Sequence, residues 1–191
     1  KLFASASGKM ILSGEYAVLF GYRGLAVPSK ERLHVEWEDD ASVDDITIVS
    51  DRAQLKDPRW EQYVRKAMAS LVECGDLEPL HGTLTMTSDL PLGKGMGSST
   101  ALVTALTRCF LGDNARTEAK MIEDAVNPGH SGLDLAVIWS EHPTIFKKGE
   151  APVSASLPHD LLATAKLIDM GQPNESTPEL VEWVRCREAK L

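Results

Sequence analysis

Cysteine is scarce in this sequence. Cys74, Cys109 and Cys186 are odd in number and widely separated along 191 residues. This pattern does not suit a small domain held together by disulfides, and the spacing is not that of a metal site. Few and scattered cysteines are typical of proteins whose thiols stay reduced in the cytosol. We therefore expect a cytoplasmic protein.

Positive charge is also in short supply. The chain has 20 Lys and Arg against 28 Asp and Glu, which gives a net charge of −8 and a pI near 5.1. Such a balance argues against a nucleic-acid or anionic-membrane partner, and the sequence has neither a signal peptide nor an apolar run that could span a bilayer. The composition is that of a globular domain. An anionic ligand would have to be bound by backbone N–H groups, a few lysines and a metal ion.

The most informative stretch is DLPLGKGMGSST, residues 89–100. Glycine tolerates positive φ and carries no Cβ, so a loop with alternating glycines can turn its N–H groups toward an anion. If a helix begins at the serines that follow and runs to about Phe110, its positive end faces the same place. Phosphate is the natural ligand of such a site. The residues expected to surround it are Gly93, Lys94, Gly95, Gly97, Ser98 and Ser99.

Two familiar phosphate motifs do not match this loop. A Walker A loop needs Lys followed by Ser or Thr, whereas Lys94 is followed by Gly95. A dinucleotide fingerprint needs a third glycine three positions after the second, where this sequence has Ser98. The remaining alternative is a glycine-rich surface turn that precedes an ordinary helix.

Hydrophobic periodicity predicts both strands and helices. Alternation with period two indicates strands, and three-four spacing indicates amphipathic helices. Gly8 and Gly14 are expected to bracket a short strand with Lys9 and Glu15 at its ends, and Gly75 is expected to cap a helix. The other predicted strands are residues 1–6, 33–38, 46–50 and 80–88, and the predicted helices are 60–74, 98–110, 117–126 and 177–189.

A second polar segment, EDAVNPGHSGLD, covers residues 123–134. Asp134 follows Gly132 and precedes apolar residues, so it stands at a turn that leads into a buried element. A carboxylate there could hold Mg²⁺ or accept a proton from an attacking hydroxyl. A single Asp at a helix start is also a common N-cap, and Lys9 alone is compatible with a solvated surface charge.

These segments resemble the GHMP kinase superfamily, in order and in spacing. The loop PLGKGMGSS is similar to the family's phosphate-binding motif, and GKMILSGEYAVLFG, residues 8–21, is similar to the opening of mevalonate kinases. Glu123 and Asp134 are 11 positions apart (134 − 123), as are the metal-binding Glu and catalytic Asp of those enzymes. LIDMGQP, residues 167–173, resembles a strand of the family's second domain.

The resemblance implies an α+β fold with two domains. Residues 1–155 would form the N-terminal ATP-binding domain, a mixed β-sheet with helices on one face and the glycine loop at a helix start. Residues 156–191 would begin a ferredoxin-like C-terminal domain that is incomplete in this chain.

The resemblance also implies an ATP- and Mg²⁺-dependent kinase. It would transfer the γ-phosphate of ATP to a hydroxyl of a small hydroxy acid, with mevalonate as the first candidate, and a homodimer is an expected assembly. Asp134 would act as base or electrostatic anchor, and Lys9 would lower the pKa of the hydroxyl and stabilise charge on the γ-phosphate. Ser99 and Glu123 would hold Mg²⁺. The residues implied to bind the acceptor are Glu15, Tyr16 and Ser131.

The sequence departs from the family pattern at several points. The family's third glycine-rich motif is absent, which together with Lys1 in place of Met predicts a fragment. The interval from Ser99 to Glu123 is short, which predicts missing residues near 112–117. Glu141 and His142 stand where mevalonate kinases usually have a glycine pair, so the turn there is not expected to be the usual one.

Three other functions stay open on the sequence. Tyr16 follows Glu15 where mevalonate kinases usually have His, and this form is more typical of phosphomevalonate kinases, for which Lys94 and Arg23 are candidate phosphate ligands. A related decarboxylase would use the same fold. A non-catalytic nucleotide-binding relative would have lost Lys9 or Asp134, and both are present.

Overall fold

The computed structural model describes residues 1–51, 57–158, 160–161, 165–166, 168 and 177–188. Within these residues, six strands and five α-helices follow one another along the chain, with a short 3-10 helix at Ala17–Phe20. The strands are β1 (Leu2–Ser13), β2 (Gly24–Asp39), β3 (Ile46–Ser50), β4 (Gly82–Ser88), β5 (Thr144–Phe146) and β6 (Val153–Ser154). The helices are α1 (Pro58–Cys74), α2 (Ser98–Leu111), α3 (Arg116–Val126), α4 (Leu133–Ser140) and α5 (Thr177–Glu188).

The sheet is organised around β2. On one side β2 pairs with β1 in antiparallel fashion, and on its other side it pairs with β4 and β5, each also antiparallel. β3 lies parallel to β4, and β6 lies antiparallel to β5. A sheet with both kinds of pairing confirms the predicted mixed α+β architecture.

The first strand is longer than the sequence predicted. β1 runs through Gly8 without ending, so Lys9 lies inside the strand, and the prediction of a separate strand between Gly8 and Gly14 was wrong. The register with β2 shifts between Ser7 and Lys9, which marks an irregularity at Gly8. A Cβ on Gly8 would lie 2.3 Å from Leu90 Cδ2. Gly8 therefore permits close approach of the segment that precedes the glycine loop.

The second strand is also longer than predicted. β2 begins at Gly24 and includes residues 25–28 as well as the predicted strand 33–38, and Pro28 lies inside it. On the side of β2 away from β1, β5 pairs with residues 24–26 and β4 with residues 33–39. Pro28 falls in the gap between these two partners, where its missing N–H leaves no ladder bond unmade.

The helices pack on one face of the sheet. β4 alternates buried and half-buried residues along its length, with Leu84 and Met86 buried against the helices beside Trp37 of β2. α2 lies centrally, since it contacts β1 and β2 as well as α1, α3 and α4. Nine of the 14 residues of α2 are buried, so its direction is fixed by packing along most of its length.

At two helix ends a residue other than glycine adopts a left-handed conformation. Gly75 is the C-cap of α1, as the sequence predicted, but its φ of −90° lies in the right-handed region, and the left-handed residue is Asp76 at φ 49°. α4 ends at Glu141, which adopts φ 53°. The turn after α4 therefore forms with a non-glycine residue in a conformation that glycine adopts more readily.

The C-terminal part is described only in pieces. Residues 151–157 contain the short strand β6, and the segment 167–173, which resembles a strand of the family's second domain, lies outside the described residues except for residue 168. The predicted helix at 177–189 is confirmed as α5. None of the described helices has the length and apolarity needed to cross a membrane.

The alternation along β4 leads to a stability prediction. Leu84→Ala should lower the free energy of unfolding by about 2–5 kcal/mol, because a fully buried side chain is removed and a cavity remains. Thr85→Ala, on the opposite face of the same strand, should cost less than about 1 kcal/mol. Urea denaturation of the two variants measures both values, and equal losses would contradict the one-sided packing.

Candidate active site

The glycine loop lies outside any strand and leads directly into α2. Gly93, Gly95 and Gly97 have φ of 68°, 74° and 73°, the region that glycine adopts without strain. Gly97 is the N-cap and α2 begins at Ser98, as the sequence predicted. The N–H groups of the first helical turn have no partner within the helix, so this end of α2 can bind an anion.

The loop is held against β1 by Lys9. The backbone N–H of Lys9 donates to Met96 O at 2.9 Å, and Lys9 Nζ donates to Gly95 O at 2.8 Å. A Cβ on Gly97 would lie 3.1 Å from Lys9 Cγ and 3.0 Å from Ile138 Cδ1. The missing side chain of Gly97 thus lets α2 start close to the lysine.

Lys9 also forms an ion pair with Asp134. Its Nζ lies 3.4 Å from Asp134 Oδ1, and the Lys9 side chain is 6% exposed against 34% for Asp134. Gly132, at φ 92°, is the N-cap of α4, so Asp134 is the second residue of the helix and not its cap. The alternatives of an N-cap Asp and a solvated Lys were therefore wrong. The pair joins a buried cation to a carboxylate that still reaches solvent.

The carboxylate of Glu123, unlike that of Asp134, is buried, and it lies near this pair. It is 1% exposed, and its Oε1 accepts hydrogen bonds from Thr100 Oγ1 and Asn127 Nδ2, both at 2.8 Å. Its Oε2 is buried without a hydrogen-bond partner among the described residues. Burial raises the pKa of Glu123, and the charge of Asp134 acts in the same direction against the two hydrogen bonds. A buried carboxylate oxygen left unsatisfied is costly unless a cation or donor meets it.

Three residues without a predicted role form a hydrogen-bond network around Glu123. Tyr63 of α1 accepts a hydrogen bond from Asn127 Nδ2 at 2.8 Å and is also hydrogen-bonded to the Ser99 side chain. Burial and the charge of Glu123 raise the pKa of Tyr63, so its hydroxyl stays protonated. Thr100 completes the set. The i,i+4 spacing of Glu123 and Asn127 was a readable signal, whereas Tyr63 looked like a core residue of an amphipathic helix.

The residues implied to bind the acceptor are less closely tied to the centre. Glu15 is exposed beyond the end of β1, and Tyr16 is half-buried at the start of the 3-10 helix. Ser131 Oγ accepts from the N–H of Leu133 at 3.2 Å and so helps to begin α4. Lys94 is half-buried within the glycine loop. Lys9 lies inside β1 and Glu15 lies beyond its end, so the prediction that these two residues stand at the two ends of one short strand was wrong.

The donor set near Glu123 fits Mg²⁺. Mg²⁺ takes oxygen ligands and usually uses one or two protein ligands together with phosphate oxygens and water. Glu123 Oε2 is a buried oxygen without a hydrogen-bond partner among the described residues, and Ser99 offers a hydroxyl at the start of α2. The described residues contain no group of three or more His, Cys, Asp or Glu that could hold a metal by themselves. A cation here would depend on a bound phosphate for its other ligands.

Comparison with known proteins gives a consistent family. Residues 62–140 match the model of the GHMP kinases N terminal domain. The chain is 27% identical over 227 residues to the mevalonate kinase of Thermococcus onnurineus, covering 100% of this chain and 68% of that protein. It is 29% identical over 216 residues to the mevalonate kinase of Pyrococcus furiosus, covering 95% and 65%.

Solved structures show the same fold. The Methanococcus jannaschii mevalonate kinase matches with a TM-score of 0.75 at 18% identity, covering 96% of this chain and 66% of that one. The L. major mevalonate kinase in complex with R-mevalonate matches with a TM-score of 0.72 at 18% identity, covering 100% and 62%. The chain spans about two thirds of the length of these relatives.

The matched region, residues 62–140, runs from α1 to the end of α4 and includes the glycine loop, Glu123 and Asp134. The sequence relatives extend over nearly the whole chain, and the structures share its fold. Residues 62–140 therefore match a GHMP kinase N-terminal domain, and nearly the whole chain is similar to mevalonate kinases.

Proposed function

We propose that the intact protein is an ATP-dependent kinase that phosphorylates the hydroxyl of mevalonate. The names of the sequence relatives, at 27% and 29% identity over nearly the whole chain, support this acceptor. Residues 1–155 would be the nucleotide-binding domain, and residues 156–191 would begin the second domain.

A single contact network carries the proposal. Lys9 Nζ reaches both Gly95 O in the glycine loop and Asp134 Oδ1 at the start of α4. One ammonium group thus touches the loop that would hold the phosphates and the carboxylate that would meet the acceptor hydroxyl. Phosphoryl transfer asks a protein mainly for alignment and charge neutralisation, and a cation shared between the two reactants serves both.

The roles of the chain's own groups follow from their chemistry. The first-turn N–H groups of α2 and the loop from Gly93 to Ser99 would bind the ATP phosphates through donors and the helix dipole. Asp134 would accept the proton of the acceptor hydroxyl or anchor it. Lys9 would stabilise the alkoxide and the charge that passes to the γ-phosphate. Because Lys9 is buried, its electrostatic effect is screened less than that of a surface lysine.

Mg²⁺ is part of the proposal. Ser99 and Glu123 would hold the ion, and Tyr63, Thr100 and Asn127 would orient these two ligands. When bound, Mg²⁺ neutralises charge on the phosphate oxygens. The unsatisfied Oε2 of Glu123 supports this assignment.

Phosphomevalonate kinase is the second candidate, because Tyr16 follows Glu15 and Lys94 lies in the glycine loop. The acceptor roles of Glu15, Tyr16 and Ser131, the homodimer and the cytoplasmic location stay predictions.

An ADP-release assay on the intact protein, with mevalonate, phosphomevalonate, galactose and homoserine in parallel, tests the acceptor. ADP release that depends on mevalonate is expected, and release with none of the four would contradict a kinase of this class.

The first prediction from the proposed function concerns Asp134. Asp134→Asn keeps the size of the side chain but removes its charge and its proton-accepting role, so kcat should fall by roughly 10²–10⁴-fold with ATP affinity little altered. Asp45→Asn is a matched control, since Asp45 also lies 3.4 Å from a cationic nitrogen, in an exposed pair with Arg65. Steady-state kinetics and nucleotide titration on the same preparations measure both. Turnover of Asp134→Asn within a few-fold of the parent would leave Asp134 a structural residue.

The second prediction concerns Glu123 and needs no turnover. Glu123→Gln should weaken Mn²⁺ binding to the nucleotide complex, followed by electron paramagnetic resonance, by at least about 10–100-fold. The metal-free variant should melt at a higher temperature than the parent, because an unsatisfied buried carboxylate is replaced by a neutral amide. Glu118→Gln on the same helix is the control. Unchanged Mn²⁺ binding would remove Glu123 from the metal site.

The third prediction separates two glycines of the loop. An alanine at Gly95 would meet no atom within 4 Å and carries only the cost of positive φ, about 1 kcal/mol. An alanine at Gly97 would in addition crowd Lys9 and Ile138. Gly97→Ala should therefore lower both thermal stability and affinity for an ATP analogue more than Gly95→Ala does. Calorimetric titration and thermal melting measure the difference, and the reverse order would contradict the described approach of α2 to Lys9.

A further inference from the structure

A cluster of charged side chains lies at the end of α4 opposite to Asp134. The Glu141 cluster consists of Arg32, Arg108 and Glu141. Glu141 Oε1 accepts from Arg32 Nη2 at 2.7 Å and from Arg108 Nη1 at 2.8 Å. Arg32 Nη1 lies 3.5 Å from Glu141 Oε2. One carboxylate therefore joins two guanidinium groups that come from different elements.

The two arginines also bind the backbone around them. Arg108 Nη2 donates to Trp139 O at 2.8 Å, and its guanidinium lies 5.1 Å from the centre of the Trp139 ring. Arg32 Nε donates to Ser5 Oγ at 3.0 Å, and both arginines reach Ser5 O, at 3.4 Å and 3.3 Å. Partial burial alone would raise the pKa of Glu141, but the hydrogen bonds and charges of the two arginines outweigh it and hold the pKa below its ordinary value.

The cluster contacts three elements that carry residues of the site. Ser5 lies on β1 with Lys9, Arg108 lies on α2 with the end of the glycine loop, and Glu141 ends α4, which begins next to Asp134. Along a strand, four residues span about 13 Å. Along a helix, ten residues span about 15 Å and seven span about 10 Å. The cluster thus joins these three elements, with β2, on the order of 10–15 Å from the site.

The backbone conformation at position 141 indicates that the glutamate side chain itself is needed there. Glu141 has φ 53°, where glycine is unstrained and a residue with a side chain is strained. A turn alone would therefore be better made by glycine. The carboxylate accepts charge-assisted hydrogen bonds from two arginines, and these bonds offset the backbone strain and hold the end of α4 in place.

We propose that Glu141, held by Arg32 and Arg108, is a positioning residue for Asp134. It would fix the axis of the eight-residue helix α4 against α2 and β1, and so set the separation between Asp134 and Lys9. This inference rests on the proposed function, because Asp134 matters only if the pair acts on a substrate.

The first test is Glu141→Gln in the intact protein. It should lower kcat by about tenfold with KM for ATP within about twofold, because small displacements of a reacting group reduce rate more than binding. Glu36→Gln is a matched control, since Glu36 lies 2.7 Å from Lys1 Nζ and is 40% exposed, against 2.7 Å and 35% for Glu141. If Glu141→Gln does not fold, Arg32→Gln keeps the Arg108 contact and tests the same prediction. Unchanged kcat well below the melting temperature would overturn the proposal.

A double-mutant cycle separates positioning from general stability. If Glu141 acts through Asp134, adding Glu141→Gln to Asp134→Asn should lower kcat by less than about twofold further. A further tenfold loss in that background would show that Glu141 acts elsewhere and would overturn the proposal.

A measurement that does not require catalysis distinguishes this inference from the proposed function. The side-chain ¹⁵N resonance of Lys9 reports its contact with Asp134, and it should shift in Glu141→Gln but not in Glu36→Gln. A shift in a protein that phosphorylates none of the acceptors would support the positioning role while the kinase assignment failed. An active kinase whose Lys9 resonance does not respond to Glu141→Gln would overturn the positioning role alone.

Discussion

The structure depends on keeping one ammonium group buried. Moving a charged Lys side chain out of water is costly unless it is paired and hydrogen-bonded. Lys9 meets that requirement with two partners from distant parts of the chain, a carbonyl of the glycine loop and the carboxylate of Asp134. The irregularity of β1 at Gly8, the left-handed Gly97 and the cap at Gly132 all serve this arrangement. The electrostatic need of a single side chain thus explains several backbone features.

The sequence was most informative where chemistry restricts the choice of residue. Alternating glycines before an apolar run predicted the loop and the start of α2, and the spacing of Glu123 and Asp134 predicted their common neighbourhood. Local pattern was less reliable for strand ends. Gly8 and Pro28 look like breaks in a sequence, yet each lies inside a strand because its neighbours in space tolerate it. That tolerance depends on Leu90 and on the partners of β2, which no local window contains.

The contacts of Tyr63 and Glu141 were hidden for a related reason. Neither residue is marked by periodicity, and each is hydrogen-bonded to a residue of another element, Tyr63 to Asn127 and Glu141 to Arg108. Glu141 even opposes local preference, since a left-handed turn favours glycine. A residue that contradicts its local conformation is a sign that a contact elsewhere compensates for it. Here the compensation comes from two arginines on separate elements.

The gap at Pro28 has a consequence for how the sheet opens. On one side of β2 the partner changes from β5 to β4, and between residues 26 and 33 the described strands leave that side unpaired. β1 is the strand that bridges the gap, since its pairing runs from Trp37 to Leu25 of β2. Amide exchange should therefore divide the sheet into two cooperative units, β5 with β6 and β3 with β4, that open independently once β1 detaches. The first strand, which carries the buried lysine, is thus also what makes the two halves of the sheet unfold as one body.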